Sequence, residues 1–181
     1  AGGTSIAGQV VGKGIVVDVS KYMNQILRID ASKRIAIVQP GVVRDELNIA
    51  LKPYGLFFSP ETSTSNRCCI GGMIGNNSCG THSLVYGSTR HHVVALKVML
   101  TDGTIHLFTI DGHNEEHPKS SVWEDIQNLL TTWKQDESTT RLIKENFPDT
   151  AIRRRSCGYA IDECLRLWDV EAGECAGLNI P

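Results

Sequence analysis

The chain has 181 residues, 41% of them apolar, and a formal net charge of −2 at pH 7. That length suits one large domain or two small subdomains with a real core, and the near-neutral balance carries no signature of nucleic-acid binding. No apolar run reaches membrane-spanning length, the amino terminus lacks the charged and apolar regions of a secretory signal, and six cysteines without a C-x-x-C spacing match neither a disulfide framework nor a zinc or iron–sulfur site.

The expectation is a soluble, cytoplasmic protein with reduced, mostly buried thiols. The first residue is Ala1, and a glycine turn, AGGTSIAGQ (1–9), follows with no strand leading into it. The chain therefore reads as a piece of a longer polypeptide.

After that turn, GIVVDVS (14–20) predicts a β-branched strand and residues 21–26 a turn. ILRID (26–30) and RIAIVQ (34–39), separated by Ala31, Ser32 and Lys33, predict a hairpin closed by Pro40 and Gly41. Residues 42–54 carry Leu47, Ala50 and Leu51 at helical spacing, with Asp45 and Glu46 in the early turns and Pro53 and Gly55 as stops. Leu56, Phe57 and Phe58 predict a short strand, followed by the hydroxyl-rich loop SPETSTS (59–65).

The centre of the chain is IGGMIGNNSCGTHSLVYG (70–87), eighteen residues with five of the seventeen glycines. Glycine lets another molecule come within contact distance of the main chain, so this density predicts a turn wrapped on a ligand, with a flexible glycine loop as the alternative. A short helix is expected at 72–77, its amino end facing the ligand, where N–H groups without helical partners favour an anion such as phosphate. The second glycine cluster, at 1–9, suggests that one long anionic ligand meets two cradles.

Beyond it, VVALKVML (93–100) and TIHLF (104–108) around Thr101, Asp102 and Gly103 predict a hairpin. Residues 120–134 predict an amphipathic helix with Val122, Ile126, Leu129, Leu130 and Trp133 on one side. Residues 114–119 and 135–140 read as polar connectors, 142–147 as a helical turn before Pro148, and the stretch that follows RRRSCGYAID (153–162) as a helix through Leu167 or Trp168. Residues 169–181 show no period and predict a loose end. This order of elements argues for an α+β layer with an antiparallel sheet.

Five motifs in order, GGTSIAGQ, VQPGVVRDELN, SPETST, CCIGGMIGNNSCG and YGSTRHHVVALKVMLTDG, resemble the FAD-binding domain of the vanillyl-alcohol oxidase and p-cresol methylhydroxylase (PCMH) type. Within that group the chain is most similar to the D-lactate, glycolate and D-2-hydroxyglutarate dehydrogenase branch. The resemblance implies an α+β PCMH-type FAD-binding domain, mainly its antiparallel-sheet subdomain with flanking helices and truncated at both ends. It implies an FAD-binding part over 1–112 and, over 113–181, a helical continuation toward a cap domain.

The resemblance also assigns FAD contacts. Gly2, Gly3, Thr4 and Ser5 would hold the pyrophosphate, with Gly8 and Gln9 completing the turn. Pro60 and Ser63 would run along the dinucleotide. Cys69, Gly71, Gly72, Asn76, Asn77 and Gly80 would wrap the flavin and ribityl side, and Tyr86 would close the motif. Cys79 departs from the glycine or alanine of many relatives.

FAD is expected to be held without a covalent link. The implied partners are a D-2-hydroxy acid (lactate, glycolate or 2-hydroxyglutarate type) and an electron acceptor: a quinone, a carrier protein or an iron–sulfur cluster, the last only outside this chain. No catalytic residue and no metal ligand is assigned. For the full-length protein a peripheral association with the inner membrane is an alternative to a purely cytoplasmic location. The alternatives in function are an FAD-binding module without turnover and a sugar-nucleotide reductase of the UDP-N-acetylmuramate dehydrogenase type.

Other patterns compete. HNEEH (113–117) matches the H-x-x-E-H of one zinc-protease group, but Gly112 and Pro118 bracket it and oppose the helix that such a site needs. Asn76-Asn77-Ser78 is a formal glycosylation acceptor in an unsuitable place. His82, His91 and His92 are candidates for a base or a flavin tether, against local hydrogen bonding. A nucleophile at Cys68, Cys69 or Cys79 would need a nearby base. Arg153, Arg154 and Arg155 read as a solvated face or as binders of a carboxylate or phosphate, with Arg154 or Arg155 on the substrate side.

Overall fold

The computed structural model describes residues 3–4, 11–109, 118–149, 151–152, 155, 158–169 and 174–175. Contacts divide the chain into two compact units, Ala1–His92 and Val93–Pro181. The architecture is α+β, with three two-stranded antiparallel sheets among the described residues. Among those residues no helix is long and apolar enough to cross a membrane.

In the first unit, β1 (Ile26–Asp30) pairs antiparallel with β2 (Ile35–Val38), with an irregularity in register between Ile26 and Arg28. The turn between them is held by Asp30, whose carboxylate accepts from the Ser32 hydroxyl at 2.7 Å and the Lys33 N–H at 3.1 Å. The alternation of Ile29, Ala36 and Val38 toward one side then packs the hairpin on a core of Val42, Leu47, Leu51, Cys68, Ile70 and Met73. Leu47 and Leu51 come from the inner face of α1 (Arg44–Leu51) and Ile70 and Met73 from α2 (Ile70–Gly75), with Val42 and Cys68 in the segments that lead into these helices. Pro53 does not end α1 abruptly: Lys52–Tyr54 continue it as a 3₁₀ turn, and Gly55 closes that turn in the left-handed region. A four-residue helix α3 (Ser83–Tyr86) and a 3₁₀ turn, Thr89–His92, complete the unit.

Two expected strands are absent. Residues 14–20 form no ladder, and Ile15, Val16 and Val17 are 95%, 70% and 73% exposed. β-branched residues favour a strand only where a neighbour completes the pairing, and the described residues supply none. Leu56, Phe57 and Phe58 also form no strand. The Phe58 backbone is satisfied by a side chain instead: its N–H donates to Asn48 Oδ1 at 2.7 Å, and its carbonyl accepts from Asn48 Nδ2 at 3.3 Å.

In the second unit, β3 (Ala95–Met99) and β4 (Ile105–Thr109) form the expected hairpin, with Gly103 at φ +83 in its turn. α4 (Ser121–Gln135) buries Leu130 and packs Ile126 and Trp133 against Cys164, Leu165 and Trp168, but Leu129 is 46% exposed and lies off that face. Residues 135–140 are not simply a connector. Asp136 caps α5 (Glu137–Asn146) by accepting from the N–H groups of Ser138 and Thr139. α6 (Ile161–Leu167) follows, and β5 (Trp168–Asp169) pairs with β6 (Glu174–Cys175), a short ladder where a loose end was expected.

One residue ties the β3–β4 turn to α4. Ser120 is buried; its hydroxyl accepts from the Trp123 N–H at 3.0 Å and donates to Asp102 Oδ2 at 2.6 Å. That hydroxyl, and then the hydroxyl and N–H of Thr104, hold the Asp102 carboxyl well below the usual carboxylate range. Because the folded value is depressed, the link is present at neutral pH and is lost only as pH falls through that lowered value. Replacing Ser120 by Ala removes both the cap and the tie. It should cost about 1–2 kcal/mol, read from the urea midpoint of tryptophan fluorescence; an unchanged midpoint would refute the role.

Candidate functional site

The glycine-rich segment is positioned by its neighbours before any ligand is considered. Residues 40–44 and 68–71 run side by side: the Gly71 N–H donates to the Pro40 carbonyl at 2.8 Å, the Ile70 N–H to Val42 at 2.9 Å, and the Arg44 N–H to Cys68 at 3.0 Å. The helix expected at 72–77 thus begins two residues earlier, as α2. Two amides of its first turn are spent on protein carbonyls rather than facing an anion. Met73 and Ile70 point into the core, while Gly72, Gly75 and Asn76 lie exposed on the other side.

The glycines of this stretch serve two different needs. At Gly71 an added Cβ would come within 2.6 Å of Pro40 Cβ, and at Gly80 within 2.5 Å of the Glu61 carbonyl oxygen. Both are glycine because chain packs on chain. At Gly75 a Cβ would meet nothing within 4 Å. Asn77 occupies the left-handed region, with φ +43, which asparagine tolerates better than most residues. Its Oδ1 accepts from the Arg90 N–H at 3.0 Å, so this asparagine anchors the turn that leaves α2. Beside it, the fully buried Thr89 donates both its N–H and its hydroxyl to the Ser78 carbonyl, at 3.0 and 2.8 Å.

The loop carrying Pro60 is held from α1. Arg44 Nε donates to the Pro60 carbonyl at 2.9 Å and Nη2 to Phe58 at 3.3 Å, beside the Asn48 bonds to Phe58. Arg44 and Asn48 are one turn apart on the same helical face, a spacing visible in VVRDELN but read in the sequence only as part of the helix. Ser59 and Pro60 are buried, and Ser63 is exposed.

Glu61, also passed over in the sequence, crosses from this loop to the 80–82 turn. Its Oε1 accepts from the Thr81 hydroxyl at 2.5 Å and the His82 N–H at 3.3 Å, and its Oε2 lies 2.9 Å from His82 Nδ1. These contacts, the Thr81 hydroxyl foremost, hold the Glu61 carboxyl below its ordinary value despite some burial. A second tie runs beside it. His92 Nε2 donates to the Tyr86 carbonyl at 2.8 Å and lies 3.2 Å from Ser59 Oγ, while the Tyr86 ring meets Phe57 edge-on at 5.7 Å.

The three histidines near the motif therefore all make local hydrogen bonds: His82 to Glu61, His92 to Tyr86, and His91 Nδ1 to the Ser88 N–H at 3.0 Å. Of the anticipated cofactor contacts, Pro60, Asn77, Gly80 and Tyr86 are joined through these neighbours, with Gly71 and Cys69 beneath them and Gly72 and Asn76 on the exposed side of α2. Cys69 is 2% exposed and bridges Val43 through its backbone. Gly3 has φ +60 and Thr4 is half-buried, whereas Gly2, Ser5, Gly8 and Gln9 lie outside the described residues.

Cys68, Cys69 and Cys164 are buried and Cys79 is half-buried. The HNEEH segment, Arg153 and Arg154 lie outside the described residues, and among those described no group of three His, Cys, Asp or Glu could hold a metal. Arg155 is neither solvated nor open to a substrate. Its side chain is 15% exposed and is bound by Asp162, by Glu163 at 2.6 Å and by the Pro148 carbonyl at 3.2 Å.

Chemically, the exposed face of α2 offers bare backbone and neutral amide groups, and the carboxylate beside it, Glu61, is already engaged by its own donors. Bare backbone lets another molecule come within contact distance of the main chain. The chain is also similar to proteins of known families. The family described as the FAD binding domain matches residues 1–109. A D-2-hydroxyglutarate dehydrogenase of Pantoea ananatis is 52% identical over 162 residues, and one of Escherichia coli 47% over 161; each match covers 87% of this chain and 15% of the relative. A glycolate oxidase subunit GlcD of Bacillus subtilis is 43% identical over 93 residues, covering 51% of this chain and 20% of the relative. The chain thus spans between 15% and 20% of the length of these relatives.

The two kinds of glycine are separable by substitution. Gly71→Ala forces Pro40 to shift and should destabilise by about 1–3 kcal/mol. Gly75→Ala, at the open end of α2, should change stability by no more than about 1 kcal/mol, in the stabilising direction. Urea denaturation of the two variants compares them, and equal costs would contradict the packing account.

Proposed function

The chain belongs to the FAD binding domain family, and from that premise we propose that it supplies the cofactor-holding portion of a flavin-dependent dehydrogenase acting on a D-2-hydroxy acid, 2-hydroxyglutarate first among them. The observation that carries the substrate class is the 47% to 52% identity to D-2-hydroxyglutarate dehydrogenases across 87% of the chain. The residues that hold FAD in this reading are Gly2, Gly3, Thr4, Ser5, Gly8 and Gln9 at the pyrophosphate, Pro60 and Ser63 along the dinucleotide, and Cys69, Gly71, Gly72, Asn76, Asn77, Gly80 and Tyr86 around the flavin side.

Their work is positioning. Arg44 and Asn48 hold the Pro60 loop by its carbonyls, α2 offers the exposed backbone of Gly72 and Asn76, and Asn77 sets the path of the following turn. Gly71 and Cys69 contribute by letting α2 lie close to residues 40–43. When bound, FAD supplies a two-electron acceptor for the hydride that the alcohol carbon gives up as its hydroxyl loses a proton. None of the described side chains is assigned to that proton transfer. The electrons pass on to a quinone, a carrier protein or an iron–sulfur cluster.

A titration of the purified chain with FAD, followed by visible absorbance and flavin fluorescence, tests the reading. Saturable binding with a structured flavin spectrum is expected, and a chain that leaves the free-flavin spectrum unchanged at every concentration would sink it. Addition of D-2-hydroxyglutarate then separates two cases. Bleaching of the visible band of oxidised flavin marks a chain that carries out the reductive half-reaction, whereas bound but unbleached flavin marks a binding module.

A further inference from the structure

We propose that Glu61 is a positioning residue for the cofactor: its carboxylate latches the Pro60–Ser63 loop to the Gly80–His82 turn and so sets the gap between the two walls assigned to FAD. This rests on the reading above that the two segments face the dinucleotide. No anticipated site residue makes the connection itself, and the two segments are about twenty residues apart in sequence.

Three observations converge on Glu61. Its two carboxylate oxygens meet three donors on the far turn: the Thr81 hydroxyl, the His82 N–H and His82 Nδ1. The absence of a side chain at Gly80 makes the crossing possible, since a Cβ there would lie 2.5 Å from the Glu61 carbonyl oxygen and 2.6 Å from its Cγ. The loop end of the latch is itself rigidly held, because Arg44 grips the carbonyl of Pro60, the residue just before it. A carboxylate that bridges a core-anchored loop to a turn through charge-assisted bonds transmits the position of one to the other.

The parts of the latch are unequal. The His82 side chain is 65% exposed, and an ion pair so open to water contributes little. The hydroxyl and amide bonds carry the connection. An amide in place of the carboxylate preserves length and an acceptor, so Glu61→Gln should retain most of the latch. Glu61→Ala should abolish it, and Thr81→Val should weaken it from the opposite side without changing side-chain shape.

The test is FAD affinity measured alongside amide hydrogen exchange at His82 and the urea midpoint, in the full 181-residue chain. Glu61→Ala should weaken FAD binding about tenfold and speed exchange of the His82 amide by at least about tenfold. Thr81→Val should shift both in the same direction by a smaller factor, Glu61→Gln should stay within about threefold of the parent chain, and the urea midpoint should hardly move. A purely structural role would lower the midpoint and leave the affinity of the folded fraction intact, which would overturn the proposal. So would Glu61→Ala binding FAD as the parent does. If the parent chain takes up no FAD, the proposed function fails on its own account, and unchanged exchange at His82 in Glu61→Ala would then dispose of the latch as well. Should Glu61→Ala not fold, Thr81→Val carries the same two readouts.

Discussion

The arrangement of the first unit depends on how residues 40–44 lie against residues 68–71. Three backbone hydrogen bonds join them, and the close approach at Gly71 requires that position to have no side chain. This juxtaposition turns Ile70 and Met73 into the core shared with Val42, Leu47 and Leu51, and by helical geometry it turns Gly72 and Gly75 outward. The exposed backbone face of α2 is therefore a consequence of core packing. Loss of the contact would disturb both together.

A second layer of organisation is polar and lies around that face. Arg44 and Asn48 satisfy the carbonyls of a loop that forms no strand, Asn77 and Thr89 fix the turn beyond α2, and Glu61 and His92 span between the two. Most of these bonds have a backbone group at one end, the Thr81 hydroxyl on Glu61 being an exception. Loops without a ladder must satisfy their backbone groups by side chains or water, and here side chains from a rigid helix and a rigid turn do so. Such loops take definite positions although only part of each is buried, Ser59 and Pro60 in the first of them.

The density of glycine in residues 70–87 also acquires a mixed meaning. As a compositional signal it pointed to a ligand. In the structure Gly71 and Gly80 answer to packing against Pro40 and Glu61, Gly87 lies at φ +79 where an added Cβ would press on His91, and Gly75 alone of these four opens onto free space. A glycine cluster can thus mark a cofactor site indirectly, because compact crossing of chain on chain is what leaves a short helix with one bare face.

Both hairpins, the helix after Pro40, the amphipathic α4 and the membership in an FAD-binding family were legible from sequence alone. Each rests on short-range information: turn residues at fixed offsets, apolar residues at one period, motifs in a fixed order. What the sequence could not decide depended on partners distant along the chain. Residues 14–20 have the composition of a strand but form no ladder, Phe58 gives its backbone bonds to Asn48, and Glu61 looked like one more polar loop residue until Thr81 and His82 stood opposite it. Propensity is a property of a residue and its near neighbours, whereas a hydrogen bond across twenty residues exists only once the core has brought its two ends together.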